Sequence, residues 1–308
     1  MNITKKDFTV TSSDGIHTLK GVVYIPEGEP EGLFHVVHGM TDHIARYDTL
    51  MTDMAKQGYL TFGYDTLGHG YTARDDSELG YIADRDGWKL LARDVGVFAD
   101  AVRDEYGPEL PYYLMGHSMG SFIVRVAAEQ YMIPDKLIIM GTAGKNPASD
   151  MGIALSEILG LIKGKRYVSS LLANMPFVGY NSRFKGEEEQ APNPWLSRDT
   201  ENRIKYANDK FCTFKFTVSA MGDLVRLIKE SNRDQWYKSL LTDMPILLVS
   251  GEDDPVGGYG KGILEIKDKL NKVGANVSCI LYKGGRHEIL NDFTYPDVLK
   301  DITEFLEK

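Results

Sequence analysis

The chain has 308 residues, 43% of them hydrophobic and 26% charged, which is apolar material for one large or two smaller folded domains and excludes an unfolded polymer. Its 35 Lys and Arg face 44 Asp and Glu, a net charge of −9, so the basic surface that phosphate binding requires is missing and nucleic acid is excluded as a partner. Two separated cysteines, Cys212 and Cys279, are too few for a disulfide framework or a thiolate metal centre, and a reducing cytoplasm is the expected location.

In chain order, the opening "MNITKKDFTVTSSDG" lacks the apolar stretch of a signal peptide, and no run approaches the roughly 18 apolar residues that would cross a bilayer. A soluble, intracellular protein is therefore expected. "FTVTSSDGIHTLKGVVYI" predicts a hairpin leading into a sheet. "LFHVVHG", "YLTFGYD", "PYYLMG" and "KLIIMG" then predict strands, and "PILLVSG" and "VSCILY" predict two more near the C-terminus. From "YLTFGYD" to "VSCILY" these runs are almost continuously apolar, the pattern of strands covered on both faces. Helical periodicity at 88–106 and 121–132 supplies the crossovers, so the expected class is α/β, a mostly parallel doubly wound sheet.

The alternation breaks between Thr142 and about Asp243. "MGIALSEILGLI", "RYVSSLLANM" and "FKFTVSAMGDLVRLIKE" are helical patterns separated by the polar, proline-bearing "GEEEQAPNPW", and strands resume at Pro245. The expected organisation is a core domain made of residues 1–141 and 244–308, with an inserted helical cap at 142–243. Its apolar residues Ile153, Leu155, Ile158 and Leu159 are candidates to line a pocket that the sheet alone leaves open. Lys163, Lys165 and Arg166 follow this apolar stretch, which favours a packed cap helix with a solvated basic end over transient contact with a membrane surface.

Residues 111–121, "PYYLMGHSMGS", contain Gly116-x-Ser118-x-Gly120 between a strand and a helix pattern. This is the setting of a nucleophile elbow, in which small residues flank a serine held on a sharp turn. A serine hydroxyl needs a histidine to take its proton and a carboxylate to orient that histidine, in the order Ser, acid, His. Only His287 follows both the elbow and a late strand, in "GGRHEILND". The acid lies in "PILLVSGEDDPV", where Asp254 is preferred and Asp253 is its rival. The oxyanion donors expected of such a site are the backbone N–H of Met119, after the serine, and of Met40, just past His38-Gly39 in the loop after "LFHVV".

The stretches "HGMTDHIARYDTLMTDMAKQGY" (38–59), "DTLGHGYT" (65–72), "GHSMGS" (116–121), "GEDDPVG" (251–257) and "GRHEILND" (285–292) resemble the α/β-hydrolases, and within them the monoacylglycerol lipase and lysophospholipase group. The resemblance implies a triad of Ser118, Asp254 and His287, an α/β-hydrolase fold, and a cap over an acyl pocket. It implies a small-molecule acyl ester or lipid as substrate. The lead expectation is thus a serine ester hydrolase of monoacylglycerol or lysophospholipid type. A short-chain or aromatic carboxylesterase and an aminopeptidase of the same fold are its near alternatives, and a non-catalytic ligand receptor the distant one.

No cofactor and no metal are expected. "GHGYTA" (68–73) has the glycine spacing of a dinucleotide loop but runs on into polar "RDDSELGY", and "GGYGKG" (257–262) lacks the spacing of a phosphate loop. His35 and His38, three apart on a strand, point to opposite faces and cannot share an ion. No feature of the sequence specifies an oligomeric state.

Overall fold

The structure is a computed structural model describing residues 2–240 and 243–308. Met1, and Leu241 and Thr242 at the end of the expected cap, lie outside the described residues. The strands are β1 (Thr4–Thr11), β2 (Thr18–Ile25), β3 (Gly32–Val37), β4 (Tyr59–Tyr64), β5 (Tyr112–His117), β6 (Lys136–Met140), β7 (Ile246–Gly251) and β8 (Val277–Tyr282). They form one sheet in the order β1-β2-β4-β3-β5-β6-β7-β8. β1 pairs antiparallel with β2, and β2 with β4; every later pairing is parallel.

Alternate residues of the central strands supply two cores. Leu33, Leu114, Ile139 and Leu248 face one side, where they pack with α2 (Gly87–Tyr106), α3 (Met119–Gln130) and α9 (Lys261–Lys272). Phe34, Met115, Ile138 and Val249 face the other, against α1 (Asp48–Lys56) and α10 (Tyr295–Glu307). That double coverage is why β4 to β7 read as almost continuously apolar runs, broken only by residues such as Thr61, Lys136 and Ser250. "VSCILY" departs from the expectation. β8 is an edge strand, only Tyr282 in it is buried, and its apolar residues cover one margin of the sheet.

Between β6 and β7 the described residues carry α4 (Ser149–Lys163), α5 (Ser170–Asn174), α6 (Thr200–Asn208), α7 (Val218–Ser231) and α8 (Asp234–Ser239), with short 3-10 turns and no strand. The last third of this excursion is integral to the main core. Phe216, Val218, Met221, Leu224 and Leu227 join the cluster of α2 and α3, and Trp236 Nε1 donates to the Arg125 carbonyl at 2.7 Å. The freer part is α4. It lies on α7 through small residues four apart: Gly152 abuts Val225 and Ser156 abuts Gly222, while Gly160, a turn further on, faces the Lys165 side chain. This seam turns Leu155 and Leu159 toward the core cluster and leaves Met151, Ile158, Leu161 and Ile162 outside. Ile158, expected inside a pocket, is 53% exposed. Its apolar character does not fix its direction, because α4 is apolar on both flanks of the seam. No helix of the described residues is long and apolar enough to cross a membrane.

The loop "DTLGHGYT" folds around the buried Asp65 carboxylate, which accepts the N–H groups of Ile44 at 2.8 Å and Tyr71 at 2.7 Å. It ties the end of β4 to the loop after β3, beside the candidate site.

Candidate active site

The sheet order reverses between β3 and β5, and crevices at such points collect the loops that leave the carboxyl ends of strands. Ser118 sits there, directly after β5, with φ 55° and ψ −120°. A non-glycine residue held in that region costs about 1–3 kcal/mol and persists only where its surroundings fix it. The flanking glycines show what fixes it. A Cβ on Gly116 would lie 2.6 Å from the Gly120 carbonyl carbon, and one on Gly120 would lie 2.6 Å from the His38 carbonyl oxygen and closer still to that of Val37. Both obstacles are backbone, so neither can move aside.

His287, on the loop after β8, and Asp254, three residues beyond the end of β7, converge on this serine. His287 Nε2 is 2.8 Å from Ser118 Oγ, and its Nδ1 is 2.9 Å from Asp254 Oδ2. With Nδ1 protonated, the imidazole donates to the carboxylate and accepts from the hydroxyl. Asp254 is fully buried; its other oxygen accepts the Val256 N–H at 2.8 Å, and Ser250 Oγ donates to Oδ2 at 3.3 Å. Asp253 is half-buried and Glu252 exposed, and it is Asp254 that meets the imidazole. Burial works against a charged His287, yet the neighbouring Asp254 charge and hydrogen bond, with Glu288 and Asp42 beyond, outweigh it and raise the imidazole pKa above 6.5.

Met119 is the first residue of α3, so its N–H is one of the helix's unbonded donors. The Met40 N–H is placed by His38. Thr66 N–H donates to His38 Nε2 at 2.9 Å, which leaves Nδ1–H to donate to the Gly39 carbonyl at 2.8 Å. In a trans peptide the carbonyl and the next N–H point opposite ways, so holding Gly39 C=O aims Met40 N–H away from His38. Gly39 itself packs on the serine: a Cβ there would lie 3.0 Å from Ser118 Cβ.

Several residues at the site have no motif of their own in the sequence. His117, the residue before the serine, contacts the His287 carbonyl through Nε2 at 3.1 Å and the Tyr47 hydroxyl through Nδ1 at 2.9 Å. Burial, then the charge of His287, push its pKa down to about 4, so it adds no second cation. Tyr47 OH also reaches Asp42 Oδ2 at 2.9 Å. Behind them, Arg46 donates to both Glu288 oxygens at 2.7 Å and to Asp42 Oδ1 at 3.1 Å, and Asn202 Nδ2 donates to Glu288 at 2.8 Å. Arg46 and Glu288 fall inside "HIARY" and "RHEILN", which was the available signal.

The excursion between β6 and β7 closes over one side. Trp195 stacks obliquely on His287 with ring centres 5.2 Å apart, and its carbonyl accepts the His287 N–H at 3.4 Å. Arg286 pairs with Glu187 at 2.8 Å and donates to the Pro194 carbonyl at 2.6 Å, while Arg198 pairs with Asp292 at 2.9 Å. Residues 187–202 are thus clamped to the histidine loop. Leu155 and Leu159 face inward, Ile153 is half-buried, and Ile158 faces out.

Known proteins share this arrangement of strands and loops. Residues 28–294 match the family described as Hydrolase_4, serine aminopeptidase, S33. The chain is 35% identical to the monoglyceride lipase homolog of Monkeypox virus, covering 90% of each. It is 30% identical to the monoglyceride lipase of Mus musculus over 141 residues, and so spans 44% of that protein's length. Among solved structures it is similar to a highly thermostable carboxyl esterase from Bacillus coagulans in complex with glycerol, with a TM-score of 0.90, 29% identity, and coverage of 99% of this chain and 98% of that one.

Proposed function

The chain belongs to the serine aminopeptidase S33 family of α/β-hydrolases, in its monoacylglycerol lipase-like group, and on that footing we propose that it is a serine carboxylic-ester hydrolase acting on monoacylglycerol or lysophospholipid-type esters. The observation that carries the proposal is the unbroken hydrogen-bonded line Ser118–His287–Asp254 at 2.8 and 2.9 Å. His287 takes the Ser118 proton as Oγ attacks the ester carbonyl. The oxyanion is received by the N–H groups of Met119 and Met40, and His287 returns the proton to the departing alcohol. Water, activated by the same imidazole, then releases the fatty acid from Ser118.

We take residues 142–243 as the cap. Leu155 and Leu159 line the acyl pocket from α4, with Ile153 at its margin. Outward-facing Met151, Ile158 and Leu161, the last 81% exposed, meet the lipid surface from which substrate is drawn, with Lys163 at the helix end toward anionic headgroups. The two cysteines are free, which supports work in a reducing compartment such as the cytoplasm.

The test is a panel of initial rates on glycerol monoesters of increasing chain length, lysophospholipids, short aryl esters and amino-acid amides. The expected outcome is the highest kcat/KM on medium or long monoesters. Preference for short aryl esters replaces the lipid substrate with a carboxylesterase's; turnover of amides alone makes the chain an aminopeptidase. Saturable binding with no turnover makes it a receptor.

A further inference from the structure

We propose that His43, Asp209 and Cys212 form a binding site for a transition-metal dication of the zinc type, joining the loop after β3 to the turn after α6. One donor atom from each residue lies within 4.8 Å of the other two, and His43 Nε2 is 2.9 Å from Asp209 Oδ2. Tetrahedral zinc, with bonds of about 2.0–2.3 Å, sets its ligand atoms about 3.3–3.8 Å apart, so small side-chain rotations close the set around an ion.

The backbone already presents these groups together. After α6 the chain turns so that Cys212 N–H donates to the Asp209 carbonyl at 3.0 Å, which puts both side chains on one turn. Phe211 N–H holds Asp209 Oδ1 at 2.8 Å and leaves Oδ2 pointing at His43, the outer support that metal-ligating carboxylates need. Across the gap, Tyr206 OH meets the Thr41 carbonyl at 3.1 Å and its hydroxyl at 2.9 Å, fixing the distance between α6 and the His43 loop. The Phe211 ring, 5.6 Å from the His43 ring, covers one side, and Cys212 is buried.

The donor set decides the ion. An imidazole nitrogen, a carboxylate oxygen and a thiolate suit Zn²⁺, Co²⁺ or Cd²⁺, whereas Mg²⁺ and Ca²⁺ call for oxygen alone. Binding moves the His43 proton from Nε2 to Nδ1, releases the Cys212 thiol proton, and leaves a fourth position for water. Cysteine spacing along the chain carries no trace of the site, since His43 stands 166 residues before Asp209. The ion clasps the 187–212 segment to the loop that, three residues earlier, carries Met40. This inference does not depend on the proposed substrate.

Cobalt titration of the full chain tests it by absorption spectroscopy. One Co²⁺ per chain is expected, with tetrahedral d–d bands and a thiolate charge-transfer band, both abolished by added Zn²⁺. Cys212→Ser should remove the charge-transfer band and weaken binding by more than about 100-fold, beyond the loss that removing a supporting group causes; Cys279→Ser should preserve both. Should Cys212→Ser fail to fold, ¹¹³Cd NMR of the unaltered chain decides: a resonance in the range of one sulfur with nitrogen and oxygen ligands supports the site, and an all-oxygen resonance overturns it. No cobalt uptake from a large molar excess, or a charge-transfer band that survives Cys212→Ser, also overturns it.

Discussion

Replacing Arg46 by methionine should destabilise the protein by about 3–5 kcal/mol at neutral pH, because it breaks a buried ion cluster from one side. The Arg46 side chain is 11% exposed, and its partners Glu288 and Asp42 are 4% and 5% exposed. The guanidinium supplies two 2.7 Å hydrogen bonds to Glu288 and a 3.1 Å bond to Asp42; methionine fills similar space but leaves two carboxylates facing each other without water. Burial alone would push both carboxyl pKa values up. Arg46, the largest opposing influence, joined by Asn202 at Glu288 and by His38, His117 and Tyr47 at Asp42, more than reverses this and holds Glu288 below 4.5 and Asp42 below 3.8. Groups with depressed folded pKa values add stability above their unfolded pKa and lose it as pH falls through the folded one. Without the guanidinium the two carboxyl pKa values rise with burial while the wild-type values stay depressed, so the gap should be fullest above the raised values and should narrow as pH falls from them toward the wild-type ones. Urea unfolding at a series of pH values measures this, and Glu288→Gln, which keeps Arg46 paired with Asp42, should cost less. A loss under about 0.5 kcal/mol at pH 7, or one as large at pH 3 as at pH 7, would mean that Arg46 does not stabilise the two buried carboxylates.

Since His287 must be neutral to accept a proton and its pKa is raised above 6.5, kcat/KM for a neutral ester should climb through one ionisation above pH 6.5 and then level. Asp254→Asn should lower that midpoint and reduce kcat by about 10⁴-fold, as measured by initial rates across pH. Asp223, buried at the polar cleft of about 330 Å³ between α4, α7 and the start of α2, has its carboxyl pushed up to about 7 by burial. The folded state then holds a proton that the unfolded chain has lost, so stability falls as pH rises from about 4 to 7. Asp223→Asn should remove that slope and stabilise the protein at pH 8 by up to about 4 kcal/mol, read from denaturant midpoints. Leu159→Ser should shift the chain-length preference of dissolved esters, whereas Ile158→Ser should spare those rates and slow hydrolysis only at a lipid interface; equal losses in both assays would count against the division of α4 into two flanks.

The serine elbow is legible in the sequence because its geometry tolerates so few residues: the backbone carbonyls of Val37, His38 and Gly120 crowd the positions of Gly116 and Gly120, and that crowding is written locally as Gly-x-Ser-x-Gly. The central strands are legible for a similar reason, since coverage on both faces makes nearly every position apolar, with few exceptions such as His35 and Thr61. What escaped is non-local. β8 has the composition of an interior strand, and its edge position follows only from the strand order. Ile158 and Leu159 are adjacent apolar residues whose opposite fates are set by the glycine and serine seam against α7. The Arg46–Glu288 pair spans 242 residues, and Trp195 reaches His287 from the middle of the helical excursion; no spacing rule reports such meetings. Likewise, Phe216 to Trp236 sit in the core with α2 and α3 although the sequence groups them with the cap.

The most direct measurement is peptide mapping by mass spectrometry after the protein reacts with an alkyl phosphonate ester, which forms a stable bond with an activated serine hydroxyl. One adduct per chain is expected, on Ser118 in the peptide "GHSMGS", with loss of ester hydrolysis in step with labelling and no adduct in Ser118→Ala. An adduct at another residue, or full ester hydrolysis by the Ser118-labelled protein, would contradict Ser118 as the nucleophile.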